Sequence, residues 1–423
     1  MLIRNSTMKK SQSEAKQSDK RDIKQLKKYY LERYKGLNVD DEKDAKICQQ
    51  LVDEMKEKLE TLNFSYAQNN NKSQKILKID DFLTPKITTI EQVTSKRKNP
   101  NKNNYHLALK NHNSFLLASH STGFKVTDNG LVVYSAKPQM PSKRILDVCY
   151  HKKLNCYLSA SRTTIYRKDI DSKDPYPCIQ ITCLNRCYRF FRYCGFHGRV
   201  ILINSNKGFS VLNARARRVE FEAPSYLEGG KTRIKDFELF GKRQDRAVAL
   251  GWKQSLLLLC NFDFRRKKVL QVSSTPIQTE RNKVFGMSLA VDPKGKYVCV
   301  ETGRAAQINQ NRSSKIFIFK IQTIKLEFLS LVENWRPRMD YREALICYGY
   351  FGWKVIFVGI SFCDLGKAHL IVYDEMEKKL EEKREESVEH QTLSPRRILR
   401  CGDFLYYVGG TGKVMRLKLS LRG

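Results

Sequence analysis

The sequence predicts an all-β chain, a seven-bladed β-propeller with an N-terminal α-helical extension. Three observations carry that prediction. From residue 103 onward, short runs of apolar and β-branched residues follow one another, bounded by Asn, Lys and Gly, which is the pattern of antiparallel strands and tight turns. These runs fall into groups of four. Corresponding third strands begin near Phe124, Ile165, Phe209, Leu257, Ile316, Leu370 and Val414, at steps of 41, 44, 48, 59, 54 and 44 residues, a period expected of propeller blades. Finally, the best-preserved copy, GRVILINSNKGFSVLNARARRVEFEA (198–223), reads as three strands joined by two turns.

Before the strands, residues 1–80 form a basic helical extension and linker. Residues 1–20 are polar and are expected to be disordered. Ile23, Leu26, Tyr30 and Tyr34 recur at helical spacing, which predicts an amphipathic helix over about 18–35 with Gly36 as its stop. A second helix is predicted over about 41–63, its apolar stripe formed by Ile47, Leu51, Met55, Leu59 and Leu62. Two such helices have too little core to stand alone. The stripe is therefore expected either to pack on the main domain or to serve as a partner-docking element. Asn69 to Gln74 reads as a linker, and Lys96-Arg97-Lys98 as a solvated basic loop.

Residues 81–423 are assigned to the propeller. Blades are read at 105–136, 144–183, 188–223, 234–274, 284–332, 343–376 with a Glu/Lys-rich segment after it, and 397–420. The last unit supplies only three strands. An open edge would leave backbone groups unpaired, so KITTIEQV (86–93), within 81–95, is expected to close it. The repeats resemble degenerate WD-type β-propeller blades over about three quarters of the chain. SFLLASHSTGFKVTDNGLVVY in blade one and VDPKGKYVCVET in blade five come nearest to the family's wording. No third strand ends in Trp-Asp, and the Gly-His pair is present only reversed, as His197-Gly198.

Composition sets the class of partner. An apolar fraction of 41% with 10% aromatics is that of a globular protein. No run approaches the roughly 18 uncharged apolar residues of a spanning helix, so a soluble chain is expected. The first residues lack a secretory apolar core, and Glu14, Asp19 and Asp22 argue against a transit peptide. Twelve irregularly spaced cysteines then read as reduced thiols of the cytoplasm or nucleus. The net charge is +34, of which residues 103–423 carry +26. Such a field attracts RNA, anionic lipid or acidic protein surfaces.

Few residues suggest chemistry. Cys178, Cys183, Cys187, Cys194 and His197 lie within twenty residues, yet none forms the C-x2-C knuckle of a zinc site, and buried structural thiols are expected. GxSxG, HExxH and a Walker-type loop are missing, so no enzyme, cofactor or metal is expected. CYRFFRYCGFHGR (187–199) interleaves Arg with aromatics, as base-stacking surfaces do, but its place as a first strand argues for core packing. Arg189 and Arg192 are expected to reach the central channel. EMEKKLEEKREESVEH (375–390) is expected to be a charged, helical excursion from blade six.

The turns between third and fourth strands carry the sharpest signal. Arg167-Lys168, then Arg215, Arg217 and Arg218, then Arg265, Arg266, Lys267 and Lys268 recur in consecutive blades. Equivalent turns of a propeller share a face, so these nine cations are expected to form one positive strip able to engage phosphates. The expected function is a non-catalytic scaffold or adaptor within a protein complex, with RNA or a ribonucleoprotein at the strip. One alternative is a propeller that binds anionic lipid or RNA directly as a polyanion, and another is a propeller enzyme whose residues come from several blades.

Overall fold

The computed structural model describes residues 25–26, 28–30, 32–33, 42–69, 85–92, 105–119, 123–128, 131–136, 145, 147–161, 164–170, 176–180, 191–203, 208–223, 234–251, 256–277, 284–304, 314–335, 344–360, 367–387, 398–408 and 414–421. It is an all-β, seven-bladed propeller preceded by a short helical region. Residues 25–26, 28–30 and 32–33 are helical, and helix α1 spans Glu42–Asn69. That helix outruns the expected end at Asn63 because FSYAQN contains neither Gly nor Pro to stop it.

Strand β1 is Pro85–Gln92. Blade one follows as β2 (Tyr105–Asn111), β3 (Ser114–Ser119), β4 (Gly123–Asp128) and β5 (Leu131–Ala136). Blade two is β6 (Asp147–His151), β7 (Cys156–Ala160), β8 (Thr164–Asp169) and β9 (Tyr176–Gln180). Blade three is β10 (Phe191–Cys194), β11 (Arg199–Ile203), β12 (Phe209–Asn213) and β13 (Arg218–Ala223). Blade four is β14 (Ile234–Phe240), β15 (Arg246–Gly251), β16 (Leu256–Asp263) and β17 (Lys268–Pro276). Blade five is β18 (Val284–Val291), β19 (Tyr297–Arg304), β20 (Ser314–Ile321) and β21 (Leu326–Trp335). Blade six is β22 (Ala344–Phe351), β23 (Lys354–Ile360), β24 (Lys367–Asp374) and β25 (Lys379–Ser387). Blade seven holds β26 (Ile398–Cys401), β27 (Phe404–Val408) and β28 (Val414–Leu421).

Each blade is an antiparallel meander, and neighbouring first strands touch, which sets them around the axis. β1 pairs antiparallel with β28, from Pro85 opposite Leu421 to Gln92 opposite Met415, and makes the fourth strand of blade seven. The ring closes on the other side of that blade. Tyr105, Leu107, Phe115 and Leu117 of blade one pack with Tyr406, Val408 and Val414 of blade seven. His112 also meets the Tyr406 hydroxyl at 3.0 Å.

Middle strands explain the dense apolar runs. A blade presents both faces to its neighbours, so strands such as β3, β7 and β27 are buried on alternate residues of either side. Leu257, Leu258 and Leu259 are wholly buried, with alternate residues serving different blades. Leu258 joins the core shared with blade three, whereas Leu257 and Leu259 join the core shared with blade five. Each such side chain contributes roughly 1.5–3 kcal/mol through burial.

Two expectations are corrected here. Lys379–Ser387 is the outer strand β25 paired with β24, so the 375–390 segment is neither helical nor an excursion over its described part. Strand pairing across the whole edge of β24 outweighs the Glu/Lys spacing. Arg167 and Lys168 lie within β8 and not in a turn, since the strand runs on to Asp169. Lys168 is 2% exposed and donates to the Asp169 carbonyl at 2.8 Å.

The helices dock in cis. Leu51, Met55 and Leu59 pack with Tyr30, Cys48, Val52 and Trp353, with Leu26 and Met376 against the same cluster. Trp353 and Met376 stand at two turns of blade six. Ile47 is 42% exposed, and the side chain of Leu62 lies outside the described residues. The stripe is thus largely covered by its own chain.

Candidate functional site

In a four-stranded antiparallel meander, the first and third turns leave the same end of the strands. The first-to-second and third-to-fourth turns of every blade therefore share one face of the ring. Three of the third-to-fourth turns follow one template. Asn213 Oδ1 accepts from the Ala216 amide at 2.9 Å, Asp263 Oδ1 from the Arg266 amide at 2.8 Å, and Asp374 Oδ1 from the Glu377 amide at 3.0 Å. Four residues after each cap the backbone turns left-handed, at Arg217 (φ 51°), Lys267 (φ 53°) and Lys378 (φ 52°). An Asx side chain that caps a turn offsets the cost of that conformation. The sequences are NARARR, DFRRKK and DEMEKK, so a shared backbone presents opposite charge in different blades.

Blades three and four form the basic part. Arg215, Arg217, Arg218, Arg265, Arg266, Lys267 and Lys268 are all exposed, and the outer strands β13 and β17 adjoin. Arg266 keeps a loose pair with Asp263 at 3.8 Å. Arg167 and Lys168 do not extend this strip. Arg167 is half-buried and pairs with Asp169 at 2.6 Å.

The first-to-second turns add cations that the sequence reading left out. Lys152 and Lys153 in blade two, and Lys242 and Arg243 in blade four, are exposed on the same face. Between them, Phe196 in the blade-three turn is 57% exposed. The Arg243 guanidinium stands 5.6 Å from its ring centre, and Lys153 Nζ donates to its carbonyl at 2.8 Å. Hydrogen bonds lock these turns together. The Lys153 amide donates to Tyr193 Oη at 3.1 Å, and the Gly195 amide to Gln244 Oε1 at 2.6 Å. Gly198 (φ 64°) admits Lys153, because a Cβ there would meet Lys153 Cδ at 2.8 Å. Alternation of turns between the two ends of a blade was the signal that would have joined these residues to the strip.

Beneath Phe196 runs an aromatic column. His197 meets Phe196 at 4.9 Å and Phe264 at 4.1 Å between ring centres, and Phe264 stacks on Phe262 at 6.1 Å. Phe262 then meets Phe209 in the core. Burial lowers the pKa of His197, which favours the neutral imidazole.

The two described cysteines of the 178–197 group each bond a backbone carbonyl. Cys194 Sγ donates to the Gln244 carbonyl at 3.3 Å and Cys178 Sγ to the Ala214 carbonyl at 3.7 Å, while burial raises both thiol pKa values. Cys183, Cys187, Arg189 and Phe190 lie outside the described residues. Arg192 is buried between blades, bound to Glu238 and Asp236. Among the described residues no three His, Cys, Asp or Glu side chains gather as a metal would need, and no helix is long and apolar enough to cross a membrane.

No family model and no curated protein matches the sequence. Solved structures do match. The β-propeller domain of Vanderwaltozyma polyspora Nup133 aligns with a TM-score of 0.57 at 6% identity, over 79% of this chain and 100% of that one. The chain is a β-propeller by fold. The β-propeller domain of Myceliophteria thermophila Cps50 (Swd1) aligns with a TM-score of 0.44 at 11% identity, over 61% of this chain and 80% of that one. With 1165 solved chains matching, a propeller of this kind does not by itself select a function.

Proposed function

We propose that the chain is a non-catalytic scaffold of an intracellular multi-subunit complex, and that its propeller contacts RNA, alone or within a ribonucleoprotein, through the basic face of blades three and four. The reading divides the chain into a helical extension over residues 1–80 and the propeller over 81–423. One observation carries it: matching turns on adjoining blades offer Arg215, Arg217 and Arg218 beside Arg265, Arg266, Lys267 and Lys268. Seven exposed cations on adjacent, rigid turns suit a polyanion whose phosphates are spaced along a chain. A scaffold needs such a fixed surface and no reacting group.

A rival reading makes the extension the docking element for a protein partner. Its stripe is already covered by Trp353 and Met376, which favours the ring face instead. The test is binding of labelled RNA, followed by anisotropy, to the wild type and to a variant with Arg215, Arg217, Arg218, Arg265 and Arg266 replaced by Glu. Loss of at least a hundredfold in affinity is expected; unchanged affinity overturns the reading.

A further inference from the structure

The basic face has a feature that charge alone does not require. Phe196 is 57% exposed at the tip of a turn, although core positions for aromatics lie one strand away. The backbone of the turn is held from both sides, through Lys153 on the Phe196 carbonyl and Gln244 on the Gly195 amide. The His197 ring packs against Phe196 and is itself packed on Phe264, which opens the basic turn that contains Arg265 and Arg266. A fixed, half-open ring flanked by cations is the pairing of surfaces that binds single-stranded nucleic acid. Bases stack on the aromatic face while phosphates meet Lys and Arg. A duplex keeps its base faces inside the stack, and an acidic peptide has only charge to offer.

We infer that Phe196 is the stacking platform for one unpaired base of a single-stranded RNA whose flanking phosphates lie against Lys153 and Arg243, an inference that rests on the basic face being an RNA site. The Arg243 guanidinium stands 5.6 Å from the centre of the ring, which places a cation beside the stacked base. Because the three turns are already cross-linked, the strand meets a preorganised surface and little ordering cost falls on the protein.

The experiment measures full-length protein against three probes: an oligouridylate carrying one 2-aminopurine, an RNA duplex of equal length, and a poly-glutamate peptide. The wild type is expected to bind the single strand more tightly than the duplex and to quench the 2-aminopurine on binding. Phe196→Ala is expected to weaken the single strand about tenfold and abolish the quench, with duplex affinity unchanged. Phe196→Trp is expected to keep both. Equal effects of Phe196→Ala on single strand and duplex, or none on either, overturn the stacking role while leaving the basic face as an RNA site. Preference of the wild type for poly-glutamate, or absence of RNA binding, overturns that site and the stacking role with it.

Discussion

Arg192 on the first strand of blade three reaches Asp236 on the first strand of blade four at 3.4 Å, and the same nitrogen, Nη2, holds Glu238 at 2.5 Å. Both Arg192 and Asp236 are buried, whereas Glu238 is only partly so. Desolvation alone would lower the Arg192 pKa, but Glu238 and then Asp236 override it and raise it. Asp236 receives the weaker share of that guanidinium. Burial therefore wins over Arg192 and pushes its carboxyl up from 3.8 to about 7.

The folded chain thus holds a proton on Asp236 that the unfolded chain releases between about pH 4 and about pH 7. This stabilisation is full below the unfolded pKa and is lost as pH rises through the folded one. The contribution should fall by up to about 1.4 kcal/mol per pH unit across that window. Asp236→Asn mimics the protonated acid and should lack this slope. Urea unfolding of both proteins across the window checks the difference; parallel curves would exclude a protonated Asp236.

Docking of the extension on blade six should be separable from the ring. Replacing Leu51 and Met55 by Ala removes two buried side chains from the Trp353 cluster, at about 2–5 kcal/mol each. The expected outcome is rapid proteolysis within α1 with no change in the melting of the propeller. Coincident loss of both would mean that the helices are part of one cooperative unit.

Lys168 should behave as a structural residue. Lys168→Ala leaves the Asp169 carbonyl without its 2.8 Å donor in a site that is 2% exposed, at a cost of about 1–3 kcal/mol. Chemical denaturation should register that loss, while RNA affinity stays at the wild-type value.

Strand β1 should be needed for closure. A chain starting after residue 80 retains β1 and should fold, whereas one starting after residue 92 exposes the edge of β28 and should aggregate. Size-exclusion chromatography of the two truncations distinguishes them.

The blade count and strand order were legible because each four-strand unit repeats its apolar pattern, from Phe124 in blade one to Val414 in blade seven. Turn boundaries were less so. Arg167-Lys168 looks like a polar turn in one dimension, but β8 continues to Asp169 and the Lys168 stem packs inside. The charges of EMEKK, at the start of 375–390, suggest a helix, although with Asp374 it repeats the Asx-capped, left-handed turn of NARARR and DFRRKK. Phe196 was grouped with the aromatic first strand, yet β10 ends at Cys194 and Gly195 begins the turn. Such one- to three-residue shifts decide whether a side chain is core or surface, and short strands give periodicity too little length to fix them.

Binding of phosphates by the adjoining turns of blades three and four is the property on which the proposed function rests. It is tested most directly by the slope of log affinity for single-stranded RNA against log salt concentration. If the seven cations engage phosphates, the wild type should show a slope of about −5, and the variant with five Arg→Glu replacements a much shallower slope with little residual binding. Equal slopes in the two proteins would contradict the account.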